Sequence, residues 1–468
     1  MSSFRAFQFF LAAILSLLAT SPAFARPPAF DVHKAQTETV KFLSALVKID
    51  TSNPPGNETR AAEYMKRVLA ANGIPSRIFE SALGRGNLVA RLKGNGKKKP
   101  LLLMGHLDVV GVERDKWTVD PFGAVVKNGY LYGRGSIDDK SMDAANLEVF
   151  LLLHRLKVPL DRDVILLAEA GEEGTPQFGI DYMIAKHWDQ IACEYALNEG
   201  GSIAQEKGKV QYVAIATTEK VPRGFSLVAR GASGHGSIPR ADNAIAHLTA
   251  AVDKVVHFET PLRLNETTRK FFAMIAAISP PKEAALYSNI EDPAVQAKLR
   301  ATRPAYYSML HTSLVPTIIK GGFRSNVIPA EAEARFDVRA LPGEDMNKLK
   351  AELTALINDP QVTIVDADDA AQRPSAPPSS IHSDGFQALE DAAAKLFPKV
   401  PVIPILQVGA TDAEELRARG VQAYDIGTLG SEEDGKRIHG TDERVNINGL
   451  GKFVQFIYDA TVDLAGAK

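Results

Sequence analysis

The chain has 468 residues, of which 45% are hydrophobic and 24% charged, with a formal net charge of −2. That length favours two domains over one, and the composition supplies a large apolar core. The near-balanced charge excludes a basic nucleic-acid footprint, and a lone cysteine, Cys193, excludes internal disulfides.

The chain opens with "MSSFR", the apolar run "FFLAAILSLLA" and then Ala23-Phe24-Ala25. This is the layout of a secretory signal peptide, residues 1–25, cut after Ala25. It implies a periplasmic or secreted protein with no stable membrane anchor after cleavage. An uncleaved anchor helix is the competing reading, although the run is short for a span.

Apolar spacing predicts helices over 35–48 and 59–72. "NLVARLKG" and "LLLMGHLDVV" read as strands, and "NGYLYGRGS" as a short strand entering a Gly-rich loop. A helix over 140–157 follows, then the apolar strands "RDVILLAEA" and "YALNEGG". Cys193, just before the second of these, reads as core filler rather than a reactive thiol. Doubly buried strands alternating with helices predict an α/β domain with a mostly parallel central sheet. Beyond Val221 come "GFSLVAR", an amphipathic helix over 241–256, an irregular Pro-containing insertion, "TSLVPTIIKGG", "EAEARFDVRAL", a helix over 344–357 and "QVTIVDAD". The order βαββαβ predicts a small α+β domain inserted into the first. "AAQRPSAPPSS" reads as the linker back, after which helices and strands alternate again to residue 465. The expected division is a signal peptide 1–25, a first domain in two segments, 26–220 and 371–468, and an inserted domain 221–370.

The first domain's ionisable residues fall at strand ends. His106 and Asp108 end one strand, and Asp138 sits in the loop after "YGRG". Glu172 and Glu173 follow "VILLAEA", Glu199 ends "YALNE", and His439 lies in "KRIHGTDE". Ligands of open α/β sheets bind beyond such ends. Individually each residue has a bland alternative: a satisfied His-x-Asp pair, a solvated Glu-Glu, or a helix cap at Asp138. Together they form a mutually repelling cluster that demands positive charge, which a divalent metal supplies. Imidazole with carboxylate suits zinc, with cobalt or manganese as substitutes. His106 then faces the metal, and Asp108 orients its ring.

The set "GHLDVV", "YGRGSIDDK", "AGEEG", "NEGG" and "IHGTDERV" resembles the acetylornithine deacetylase / succinyl-diaminopimelate desuccinylase / carboxypeptidase family of dinuclear zinc hydrolases. "WTVDPFGAVVKNGYLYGRGSIDDK" looks most like its carboxypeptidase S-like branch. The resemblance implies a zinc-peptidase domain and an inserted ferredoxin-like lid or dimerisation domain, with a homodimer through the lid left open. It implies two Zn2+ (or Co2+ or Mn2+), with Asp138 bridging, His106 and Glu199 completing one site, and Glu173 and His439 the other. Glu172 is then the general base for the water that the metals activate. His235 in "GASGHGSIP" is the implied oxyanion stabiliser, serving the partner subunit in dimeric members. Asn326 and Arg339 are implied substrate contacts, Arg339 as a carboxylate clamp, and Gly440 and Thr441 are candidate pocket residues. Gly171, Ser141, Ala410 and Glu414 depart from the usual pattern without removing a ligand.

The function this predicts is an exported exopeptidase, carboxypeptidase or dipeptidase, cutting an amide beside a free carboxylate. Its substrate is a small peptide. An N-acyl-amino-acid hydrolase with an N-acyl amino acid substrate uses the same centre. A serine hydrolase is disfavoured because "GASGH" lacks the final glycine of a nucleophile elbow. A non-catalytic binding protein is disfavoured because every ligand and Glu172 are present, and "GRGS" is too incomplete for a dinucleotide site.

Overall fold

Strands Leu101–His106 and Val164–Glu169 are buried along their whole length. They pair in parallel, with His106 opposite Glu169. Tyr195–Glu199 and then Gln422–Ile426 extend this parallel centre. The structure, a computed structural model, describes residues 28–367 and 373–467. The expected signal peptide and the boundary at 370/371 lie outside the described residues. Antiparallel strands complete the sheet on both sides, Arg85–Leu92 and Ser76–Ala82 at one, Lys209–Glu219 and Ser202–Glu206 at the other. Val402–Gln407 runs parallel to Lys209–Glu219, and the sheet totals ten strands.

Side-chain alternation divides this sheet's packing. Leu101 and Leu103 face a core built with helices Val32–Val47, Lys140–Arg155, Asp384–Leu396 and Ile447–Ala465. Leu102 and Met104 face the other side, against Ile180 and Met183 of helix Ile180–Ile191 and Leu416 of helix Ala413–Arg417. Truncating any of these leucines to alanine costs about 2–5 kcal/mol. With both faces covered, the strand ends are left as the place for polar side chains.

A second sheet has the chain order strand, helix, strand, strand, helix, strand: Phe225–Arg230, Ala244–Val256, Ser313–Gly321, Glu331–Ala340, Met346–Ile357 and Val362–Asp366. Four of its five strands lie in the spatial order 313–321, 331–340, 225–230, 362–366, all antiparallel, which is the ferredoxin-like arrangement, and the short fifth, Val221–Pro222, pairs with the end of Glu331–Ala340. Buried positions alternate along Glu331–Ala340, and its inward Ala334, Phe336 and Val338 pack with Leu248 and Leu353 of the two helices.

The irregular insertion expected before "TSLVPTIIKGG" is instead helical: Glu266–Ile278, Pro281–Tyr287, Pro293–Thr302 and Pro304–Ser308. Three of these begin with a proline, which has no N–H to lose in a first turn. The prolines therefore start helices rather than break them. Phe271, Phe272 and Ile275 of this block share a core with Ile403 and Leu406 of the first sheet.

Candidate metal centre

His106 closes its strand with its side chain only 1% exposed. Gly105 before it is required by space, since a Cβ there would lie 2.8 Å from Asp139 Oδ2. The ring Nδ1 is 3.0 Å from the Asp108 carbonyl oxygen and 3.4 Å from its carboxylate. Nε2 is 3.0 Å from Asp138 Oδ1. On the other side of Asp138, His439 Nε2 lies 3.1 Å from Oδ2, and 2.9 Å from Glu173 Oε1. One carboxylate thus stands between two imidazoles with an oxygen toward each. Asp138 does not cap the following helix: Asp139 holds that position, without a side-chain cap bond.

Asp108 does more than orient a ring. Its carboxylate accepts from the main-chain N–H of Gly171 at 2.9 Å, Glu172 at 3.1 Å and Glu173 at 3.2 Å, and from Asn53 Nδ2 at 2.8 Å. This anchors the Glu172–Glu173 turn. The turn needs glycine at 171, where φ is +80° and a Cβ would meet the Thr175 carbonyl oxygen at 2.4 Å. The two glutamates then diverge: Glu173 faces His439, and Glu172 faces Arg373, whose Nη2 is 3.4 Å from Oε1.

Glu199 ends strand Tyr195–Glu199. Burial pushes its carboxyl well above the ordinary range, and the charges of Asp138, Asp139 and Glu172 push it further. Burial does the same to Glu172, aided by Asp412 and Glu173 against the pull of His106 and Arg373. For His106, burial opposes the charged ring, but bonds to Asp108 and Asp138 outweigh it and hold the pKa well above its usual value. Bonds to Asp138 and Glu173 raise His439 to about 10. The protein's own charge is thus short of cations at this cluster. Ligand atoms of His106, Glu172 and Glu173 lie within 4.8 Å of one another, as do those of Asp138, Glu173 and His439. These nitrogen and oxygen donors fit a divalent cation, and Glu199 belongs to neither group.

The second sheet's candidates stand apart from this cluster. His235, in the short strand Gly234–His235 paired with Val327–Ile328, is exposed, and Ser237 Oγ is 2.7 Å from its Nδ1. The Asn326 carbonyl accepts from Gly236 N at 2.8 Å. Arg339 Nε donates to Asp337 at 2.9 Å. Among the described residues, no hydrogen bond or ion pair links these three to the carboxylates around His106. The Gly440 carbonyl accepts from Arg134 Nη2 at 2.8 Å, and Thr441 is half-buried beside it.

Sequence reasoning passed over Glu443, four residues beyond His439. Its buried carboxylate accepts from the N–H of Ile137 at 2.7 Å and of Asp138 at 3.1 Å, and pairs with Arg134. Its presence inside the quoted "IHGTDERV" was the available signal. Asn53 and Arg373 were missed with less excuse from pattern, since neither sits in a motif.

Residues 102–462 match Peptidase family M20/M25/M40. A probable carboxypeptidase S-like 2 of Dictyostelium discoideum is 30% identical over 80% of this chain and 73% of its own length. The human N-fatty-acyl-amino acid synthase/hydrolase PM20D1 is 28% identical over 91% of this chain and 87% of its own. In fold, the chain is similar to the M20 family metallo-carboxypeptidase Sso-CP2 from Sulfolobus solfataricus, with a TM-score of 0.70 at 19% identity over 91% of this chain and 99% of that one. A cage of imidazoles and carboxylates at strand ends, on this fold, with a family match across most of the chain, makes this protein a metal-dependent hydrolase of Peptidase family M20/M25/M40.

Proposed function

We propose that the protein is an exported exopeptidase holding two zinc ions, which cuts one amide bond beside a free carboxylate. The observation that carries this reading is Asp138 offering one oxygen to His106 and the other to His439. A shared anionic ligand of that kind suits a pair of cations, with Glu199 on the His106 side and Glu173 on the His439 side. Such a pair would supply Lewis acidity and a water acidified towards neutral pH. Glu172, half-buried and not committed to His439, takes the water's proton and returns it to the leaving amine. Arg339 binds the substrate carboxylate through its guanidinium fork, and His235 donates to the developing oxyanion.

His235 is exposed and separate from the cluster, which supports its service to the centre of a second copy. An interface on the second sheet has support in strand Ser313–Gly321, which pairs on one side with Glu331–Ala340 and exposes Ile318 and Ile319. Export is supported by the apolar run and Ala23-Phe24-Ala25. No helix of the described residues is long and apolar enough to cross a membrane.

The second reading is an N-acyl-amino-acid hydrolase, favoured by the likeness to PM20D1. A panel of dipeptides, C-terminally extended peptides and N-acyl amino acids, assayed with and without chelator and after adding Zn2+, separates the two. Chelator-sensitive turnover of peptides supports the first reading. Turnover confined to N-acyl amino acids supports the second, and chelator-resistant turnover defeats both.

A further inference from the structure

Glu172 is held on its two sides by different parts of the chain. Its main-chain N–H is fixed by Asp108. Among the described residues, the side chain hydrogen-bonded to its carboxylate is Arg373 alone, with Nη2 3.4 Å from Oε1 and 3.5 Å from the Glu172 carbonyl oxygen. Arg373 comes seven residues after Asp366, the end of the second sheet's last strand, in a stretch whose composition suggested only a linker.

The guanidinium is itself firmly seated. It is 6% exposed, and its other terminal nitrogen, Nη1, faces the Thr411 carbonyl, Asp412 Oδ1 at 2.8 Å and Glu415 Oε2 at 3.2 Å. Thr411 is in turn fixed by Glu219, which accepts from its N–H at 2.6 Å and its hydroxyl at 2.9 Å, and Arg417 holds Glu219 at 2.7 Å. The segment carrying Arg373 docks on the same helix through Ala376 N, which donates to Glu414 Oε1 at 2.7 Å. A planar fork can serve Asp412 and Glu415 with one nitrogen while presenting the other to Glu172, and a point-charge ammonium cannot do both. Burying an arginine among three acids is costly unless its geometry is used, and the geometry here ends on Glu172.

We infer that Arg373 is a positioning residue for the Glu172 carboxylate, orienting it toward the water it deprotonates. The inference rests on Glu172 being the base. Arg373→Lys keeps the charge and loses the fork, so it is expected to lower kcat about 10- to 100-fold. With substrate and metal contacts intact, KM stays within about twofold. Metal content by atomic emission remains that of the wild type, and the melting temperature falls but stays above the assay temperature. Arg373→Ala, where it folds, is expected to lose more turnover and to regain part of it in millimolar guanidinium chloride. Wild-type kcat in Arg373→Lys overturns the inference, as does a loss of kcat that follows a loss of bound metal. Glu172→Gln run in parallel separates the two levels. If it is fully active, the base assignment falls and takes this inference with it. If it is inactive while Arg373→Lys is fully active, the positioning role alone falls.

Discussion

The carboxylate cluster around His106 and the His235 loop of the second sheet differ in how much holds them in place. Asp138 is fixed through main-chain bonds to Glu443, the Glu172–Glu173 turn through bonds to Asp108, and Asp108 through Asn53. His235 lies in a two-residue strand paired with Val327–Ile328, its exposed ring beside Ser237. The first region is preorganised, as a centre for cations must be when several like charges share a small space. The second is exposed and paired over two residues, which suits a group proposed to act on a substrate or on a second copy.

The largest expected effect tests the preorganised side directly. Glu172→Gln should reduce kcat by about 10²- to 10⁴-fold while two metal equivalents remain bound, as atomic emission would read. Retained activity would remove the base from the cluster. Next, saturating the metal-free protein with Zn2+ should raise its stability by about 4 kcal/mol at a thousandfold excess over Kd. Asp138→Asn should abolish most of that gain in a thermal melt. Asp108→Asn, which spoils the anchor of the turn without removing a ligand, should weaken metal affinity or turnover by about 10- to 100-fold. A variant indistinguishable from wild type would mean the turn holds itself.

In the second sheet, Arg339→Ala should raise KM about 10- to 100-fold for substrates with a free carboxylate, the worth of a charge-assisted bond. It should leave their C-terminally amidated analogues unaffected. Equal effects on both would deny the clamp. A stability effect lies away from both regions. Glu148 is buried in helix Lys140–Arg155 and burial raises its pKa to about 8, with Glu38 adding to the rise. The folded state therefore binds this proton more tightly than the unfolded chain does, and stability falls as pH rises from about 4.5 through 8. Glu148→Gln should flatten that decline, raising the melting temperature at pH 8 but not at pH 4.

The strands that deliver His106 and Glu199 are legible as apolar stretches, "LLLMG" and "YAL", that end at polar or ionisable side chains. The βαββαβ order was legible for the same reason of periodicity. What sequence reasoning could not see were the braces. Arg373 lies in a Pro-rich stretch, and its partners Asp412 and Glu415 are about forty residues away in the chain, so nothing local marks it. Asn53 reaches Asp108 across a similar gap. The helices over 266–308 were misread because proline looks like an interruption until its N–H is seen to be one the first turn does not need. Strand Lys209–Glu219 was missed because its exposed beginning, "KVQY", is polar and its buried half merges into the change of character at Val221.

The helical block that shares a core with Ile403 and Leu406 has a practical consequence for anyone dissecting this protein. Residues 266–308 belong by sequence to the insertion but by packing to the first sheet. Excising 221–370 as a cassette would strip a patch of aromatic and aliphatic cover from the remaining piece and leave the excised one with a greasy appendage. A dissection that respects the packing leaves that block with the larger fragment and moves only the four-stranded unit.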